Sequence, residues 1–436
     1  MTIKILDLFA GAAGLSQGFE LVRDKHGNPV FELYRAAEID KYACKTLRKI
    51  YGEDKVIEGD LTDPEIHNKV IKKCKGKIDI VVGGIPCQSF SLIGPRSGYG
   101  RYDARFKDDL RDHLYKEFYK IVDELKPKVI VIENVKGILS KKDISGRKII
   151  DKIIEDFEKN YNLQNETGKK YSLVNAANFG VPQKRERVII IGVLKDWKKI
   201  AVPSLRRTHF DPKTENSIEL SAKGLLPYVT LYEAIGDLPK VKPKKTGTGL
   251  SKKIKKTIAK ENEIVYSGEE KMPFNKKDFI NYKNSLSQSG KSFFEFIRPN
   301  GYQFIDYHIA RSQQPSDIKL FEAMLPGETA GQFMKRCPKL AKRLIKYGMN
   351  SFLDKYRKQK PNEPSTTIFA HLEKDGNRFI HPEQARTFTV REAARIQSFP
   401  DHIPFEGPIS KKFKQIGNAV PPLLSFNIAK SIMLVF

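Results

Sequence analysis

Apolar residues recur in two rhythms along the first half of the chain. Short β-rich runs at Ile3 to Phe9, Leu33 to Ala37, Ile78 to Val82, Val129 to Ile132, Leu173 to Ala177 and Val188 to Val193 read as buried strands. Between them, Tyr42 to Tyr51, Pro64 to Cys74, Leu110 to Leu125 and Ser145 to Phe157 carry apolar residues at helical spacing. This alternation predicts an α/β fold with a doubly wound, mostly parallel sheet wrapped by helices. It fades after Pro203, and a regular pattern returns near Thr389. The changes divide the chain into a first domain at 1–202, a smaller one at 203–388 and a closing segment at 389–436. No internal repeat is visible.

Composition adds a partner class. The 436 residues hold 78 Lys+Arg against 52 Asp+Glu, a net charge of +26, which points to a polyanion such as nucleic acid. An anionic membrane surface stays open on charge alone. A spanning segment does not, because the longest apolar runs are as short as Val188 to Leu194. Nine lysines and no acid lie between Lys240 and Lys260, around Thr246-Gly247-Thr248-Gly249. Either a solvated linker or a phosphate-contacting arm fits that segment. The chain starts directly on a strand pattern, without the regions of a signal peptide, so a cytoplasmic protein is expected. Cys44, Cys74, Cys87 and Cys337 show no C-x-x-C spacing, and neither a disulfide nor a metal site is expected.

Several segments carry chemistry. The first strand runs into Asp7-Leu8-Phe9-Ala10-Gly11-Ala12-Ala13-Gly14, a small-residue turn that lets a ligand approach the backbone. As a dinucleotide fingerprint it fails, since Ala13 and Ser16 stand where glycines are required. Glu38, followed by Ile39, and Asp60 end later strand-like runs, where carboxylates accept ribose hydroxyls in this architecture. Cys87, in Pro86-Cys87-Gln88, stands just past a buried strand and is the best candidate nucleophile. The stretch Ile93 to Lys107, with Gly94, Gly98, Gly100, Arg96, Arg101 and Arg105, has the composition of a basic lid. Glu133 brings a carboxyl to the same edge, and Arg185 and Arg187 reach that rim on alternate positions.

In this order the blocks resemble the cytosine-C5 DNA methyltransferases of bacterial restriction–modification systems. Asp7 to Gly14, Glu38, Asp60, Gly84 to Gln88, Asp109 to Arg111, Glu133 to Val135 and Gln183 to Arg187 match the early blocks. Thr389 to Pro400 and Gln415 to Pro422 match the last two. One departure is Ala13, at a position that is usually Gly in the family. The resemblance implies the class I S-adenosylmethionine methyltransferase fold. Its domain at 1–202 would be catalytic and cofactor-binding, 203–388 would be a variable target-recognition domain with a basic linker at 240–260, and 389–436 would return to the first domain.

The resemblance also implies roles. Cys87 would add to cytosine C6, Glu133 would hydrogen-bond N3 and the exocyclic amine, and Arg187 with Arg185 would hold O2. S-adenosylmethionine would be bound by Asp7, Phe9, Gly11, Gly14, Glu38, Ile39, Asp60 and Asn418. Double-stranded DNA would be the substrate, bound by a monomer with its target cytosine flipped out, and a companion restriction endonuclease would be the partner. Three other readings remain at this point. A tRNA-methylating branch shares the catalytic blocks but has a much shorter insert than the roughly 185 residues here. A non-catalytic DNA-binding module would predict no methyl transfer, and an oxidoreductase would need the fingerprint that fails.

Overall fold

The structure, a computed structural model, describes residues 2–86, 114–143, 145–198, 200–243, 272–273, 276–299, 304–345, 353–374 and 376–436. They divide into two compact units. The first comprises Met1–Phe179, Arg185–Arg207 and Ala419–Phe436, and the second Gly180–Lys184 and Thr208–Asn418. Cys87, the Ile93 to Lys107 stretch, Asp109 to Arg111 and most of the lysine-rich segment lie outside the described residues.

The first unit is built on strands β1 (Ile3–Leu8), β2 (Phe31–Glu38), β3 (Val56–Glu58), β4 (Ile80–Gly84), β5 (Val129–Val135), β6 (Tyr161–Asn162) and β7 (Ser172–Asn175). After β8 (Gln183–Lys184), which pairs with Ser365–Thr366 in the second unit, β9 (Glu186–Leu194) completes an eight-stranded sheet. Its order is β3-β2-β1-β4-β5-β9-β6, with β7 also on β9. The pairs among β1 to β5 are parallel, while β9 runs antiparallel to β5. The Val129-Ile130-Val131-Ile132 run is essentially fully buried, as expected where helices cover both faces of a parallel sheet. Helices α1 (Gly14–Glu20), α2 (Lys41–Tyr51), α3 (Pro64–Cys74), α4 (Leu114–Leu125) and α5 (Ile149–Glu158) connect the strands. The fold class is the expected mostly parallel α/β sheet.

Some boundaries differ from those read off the sequence. The helix expected from Ser145 begins at Ile149, because Asp143 accepts hydrogen bonds from the backbone of Ser145 (2.8 Å) and Arg147 (3.1 Å) and folds the preceding residues into a turn. Helix α4 is described from Leu114, and Leu110 to His113 lie outside the described residues. Strand β7 stops at Asn175, and Ala176–Phe179 form a 3-10 turn.

The closing segment also divides differently from the expected 389–436. Helix Val390–Ile396 and helix Ile409–Asn418 pack within the second unit, and only Ala419–Phe436 belong to the first. The physical cause is a buried charge cluster in the second unit. Arg395 and Arg391 are wholly buried; Arg395 is paired with Asp237 and Asp401, and Arg391 with Asp306. Arg298 Nε also lies 2.8 Å from Asp401. Burial alone would raise the Asp401 carboxyl, but the Arg395, Arg391 and Arg298 guanidiniums outweigh it and hold it at about 2. Phe293 and Phe294 are core residues of this unit.

The returning segment packs on α1 through glycines. A Cβ on Gly14 would stand 2.1 Å from the Val420 carbonyl oxygen, and one on Gly18 would stand 2.3 Å from that of Pro422. Helix Pro422–Met433 is thereby seated, with Ser425 Oγ donating to the Leu15 carbonyl at 2.6 Å. Among the described residues no helix is long and apolar enough to cross a membrane.

Candidate active site

The site grows from the carboxyl ends of β4 and β5. In register, Gly84 lies opposite Glu133, and a Cβ on Gly84 would meet Glu133 Oε2 at 3.4 Å. That is ordinary van der Waals contact, so the glycine lies directly beside the carboxyl. On the other side of β5, Glu133 pairs with Ile189 and Val135 with Arg187. Arg187 is therefore the diagonal neighbour of Glu133 on one sheet face, within reach of a long side chain. Its Nε lies 2.6 Å from Glu133 Oε1, with each side chain 9% exposed.

This contact depends on strand direction. Because β9 is antiparallel to β5, its first residues meet the last residues of β5. A parallel strand would have carried Arg187 to the opposite edge.

Arg185 takes a different place. It is 2% exposed, and its Nη2 donates to the Ala419 carbonyl at 3.1 Å. Its backbone N–H donates to Asn175 Oδ1 at 3.1 Å. The two arginines thus divide their contacts: Arg187 meets the carboxylate, and Arg185 holds the returning segment. The sequence did not single out Asn134 for a role. Its Nδ2 donates to the Ile85 carbonyl at 3.4 Å, tying β5 to the residues that lead into Cys87. Its sequence signal was its place in the block Glu133 to Val135.

A second cluster lies at the ends of β1 and β2. The turn after β1 alternates in handedness, with Phe9, Gly11 and Ala13 at φ values of 58°, 56° and 65°. Left-handed backbone costs a residue with a Cβ roughly 1–2 kcal/mol, so Phe9 and Ala13 are held there by their surroundings. Ala13 is fully buried, and the burial of its methyl group, about 0.8 kcal/mol, offsets much of that cost. Where the resembled family usually has Gly, this chain holds Ala in left-handed backbone.

Glu38 organises the turn. Its carboxylate accepts from the backbone N–H of Gly11 (2.8 Å), Ile39 (2.9 Å) and Asp40 (2.7 Å). A carboxylate offers about four acceptor sites, so roughly one remains for a ligand hydroxyl rather than the pair expected from sequence. Burial raises the Glu38 carboxyl, and these backbone donors oppose the rise. Ile39 is an apolar residue left 61% exposed beside it. Asp60 is exposed, and its Oδ1 accepts from Thr62 N–H at 2.9 Å.

Asp7 is fully buried at the end of β1. Ser16 Oγ donates to its Oδ2, while its Oδ1 has no hydrogen-bond partner among the described residues. Burial pushes its carboxyl up to about 7; the Ser16 hydrogen bonds oppose this, and Glu38 and Glu20 add to it. Asn418 ends helix Ile409–Asn418 in the second unit and is exposed.

Two of the other cysteines, Cys44 and Cys74, are poor nucleophile candidates. Cys44 and Cys74 are buried on α2 and α3, and burial pushes their thiols up to about 12 and about 11. Among the described residues no group of three or more metal-binding side chains comes together.

Similarity to known proteins bears on the family. The sequence profile of the C-5 cytosine-specific DNA methylases matches residues 3–434. A type II methyltransferase of Neisseria gonorrhoeae, M.NgoFVII, is 33% identical over 99% of this chain and 87% of its own length. A type II methyltransferase of Escherichia coli, M.Eco47II, is 31% identical over 98% of this chain and 78% of its own length. Among solved structures, an Escherichia coli prophage-encoded protein assigned to the DNA modification methyltransferases superposes with a TM-score of 0.63 at 23% identity, covering 99% of both chains. That last likeness bears on the fold. With the profile spanning nearly the whole chain, the protein belongs to the C-5 cytosine-specific DNA methylase family.

Proposed function

We infer that this enzyme methylates C5 of a flipped-out cytosine in duplex DNA through a covalent Cys87 adduct, and that it protects DNA in a type II restriction–modification system. The observation that carries the chemistry is the buried Glu133–Arg187 pair facing Gly84, three residues before Cys87. Cytosine C5 is a poor carbon nucleophile, so the ring must first be activated. The Cys87 thiolate adds to C6, placing an electron pair on the ring toward C5. Glu133 hydrogen-bonds N3 and the amine as that charge develops, and Arg187 stabilises it at O2. Loss of the C5 proton after methylation expels the thiolate. A stacked cytosine cannot reach these groups, and flipping it costs a few kcal/mol.

Bound S-adenosylmethionine supplies the electrophilic methyl group. The chain's residues fit such a cofactor: Asp7 holds a buried carboxylate oxygen with no hydrogen-bond partner among the described residues, suited to a ligand that carries positive charge. Glu38 keeps one acceptor site for a ribose hydroxyl, and Phe9 and exposed Ile39 offer apolar surface to an adenine. Asp60 would take the adenine amine, and the backbone of Gly11 and Gly14 the methionine end. The restriction–modification role is supported by the type II methyltransferases that match this chain over nearly its whole length.

The test is Cys87→Ala. Methylation, read by bisulfite sequencing of DNA from a host expressing each protein, should vanish while duplex binding persists. Undiminished methylation by the variant would overturn the covalent mechanism, and the wild-type pattern reports the target sequence.

A further inference from the structure

We propose that Lys142 and Lys148 together grip one phosphate of the substrate DNA beside the flipped nucleotide. This rests on DNA being the substrate. The two lysines face each other across an antiparallel bridge. The backbone bonds flanking them, Asp143 N–H to the Arg147 carbonyl (2.9 Å) and Ile149 N–H to the Lys141 carbonyl (3.0 Å), make theirs a non-hydrogen-bonded pair. In that geometry facing Cα atoms stand only about 4.5 Å apart and the side chains share one face. Both lysines are exposed, and among the described residues neither has a carboxylate partner. Like charges placed directly opposite each other destabilise a hairpin. An anion between them removes that cost.

The hairpin is pre-formed around the pair. Asp143 accepts from Ser145 Oγ at 2.7 Å and is paired with Lys152, Gly146 takes a left-handed φ of 83°, and Arg147 is paired with Glu155. The neighbouring charges are thus engaged, which leaves Lys142 and Lys148 as the cations offered to a ligand. The position is also right. The hairpin follows the 3-10 turn Lys136–Leu139 directly after β5, whose end carries Glu133. Lys136 Nζ lies 3.0 Å from both carboxylate oxygens of Glu186, the neighbour of Arg187. A cytosine that reaches Glu133 brings its own backbone over this edge of the sheet.

The test compares Lys142→Gln/Lys148→Gln with wild type and with Lys75→Gln/Lys77→Gln. The control pair is exposed between α3 and β4, at the opposite edge of the sheet, and removes the same charge. Binding of a duplex carrying the sequence that wild type methylates is measured as a function of salt. For the hairpin variant the log–log slope should fall by about 0.9 and affinity near 0.1 M salt by about eightfold. Its melting temperature should hold or rise, since a like-charge contact is removed. The control should keep the wild-type slope. Equal slopes for the two variants, with wild type binding normally, would sink the lysine pair alone. Failure of wild type to bind the duplex would remove the DNA reading beneath it.

Discussion

The clearest energetic commitment in the first unit is the Asp7 carboxyl, and Asp7→Asn measures it. The group is fully buried, with one oxygen held by Ser16 and the other unpartnered among the described residues. Its carboxyl stands near 7 in the folded chain against an ordinary value of 3.8. The folded state therefore keeps a proton that the unfolded state releases above pH 4. The contribution to stability is fully present below the unfolded value and is lost as pH rises from about 4 to about 7. Above that, both states are ionised and the curve is flat. At 1.36 kcal/mol per pH unit, the whole loss is on the order of 4 kcal/mol, of which roughly 2–3 falls between pH 5 and pH 8.

Asparagine keeps the shape and the acceptor for Ser16 but does not titrate. Unfolding of both proteins by denaturant at several pH values isolates the term, because all other titrations cancel in the difference. The assay has a built-in probe, since the chain holds one tryptophan, Trp197, and it lies in the first unit. At pH 5 the variant should be similar to wild type or less stable, because its amide N–H₂ faces the same unpaired position at a cost of about 1–3 kcal/mol. By pH 8 it should have gained roughly 2–3 kcal/mol on wild type. A difference that stays constant across this range would show that Asp7 is ionised throughout, and that burial does not dominate its chemistry.

Two other substitutions test the positioning groups. Asn134→Ala removes the tie to the Ile85 carbonyl and should lower kcat about tenfold, the effect of losing roughly one hydrogen bond's worth of positioning, with cofactor affinity by calorimetry unchanged. Arg395→Met leaves Asp237 and Asp401 buried beside an uncharged side chain. The second unit should lose about 3–5 kcal/mol, seen as a lower denaturation midpoint, while Trp197 reports an unchanged first unit.

Much of the first unit was legible because its signals are local. The strand runs, the Pro64 to Cys74 helix and the edge positions of Glu38 and Glu133 follow from periodicity and from where a parallel sheet puts its carboxyl ends. Strand direction was not legible. The apolar run of β9 reads the same either way, yet the Glu133–Arg187 contact exists only because it is antiparallel. The turn at Asp143 was missed because helical spacing from Ser145 outweighed the Asp-x-Ser-Gly chemistry that ends in a hairpin. The arginines of Val390–Ile396 were equally hidden. Charged side chains in a short helix suggest a solvated face, but Arg395 finds Asp237 at a separation of 158 residues. Such a partner is fixed by the tertiary fold and leaves no local trace.

That burial changes what the net charge of +26 can do. Arg185, Arg298, Arg386, Arg391 and Arg395 are buried, and each is engaged by a carbonyl or carboxylate within the protein. A guanidinium with its fork of donors satisfied internally cannot also neutralise a phosphate. Among the described residues, the cations left for a polyanion are therefore mostly exposed lysines. Lysine meets phosphate as a point charge on a flexible stem, which gives affinity and strong salt dependence but little base reading. Placing two of them face to face across an antiparallel bridge supplies the geometry that a single lysine lacks. The same residue type thus serves as diffuse attraction over most of the surface and, at Lys142 and Lys148, as a fixed point from which a nucleotide can be turned toward Glu133.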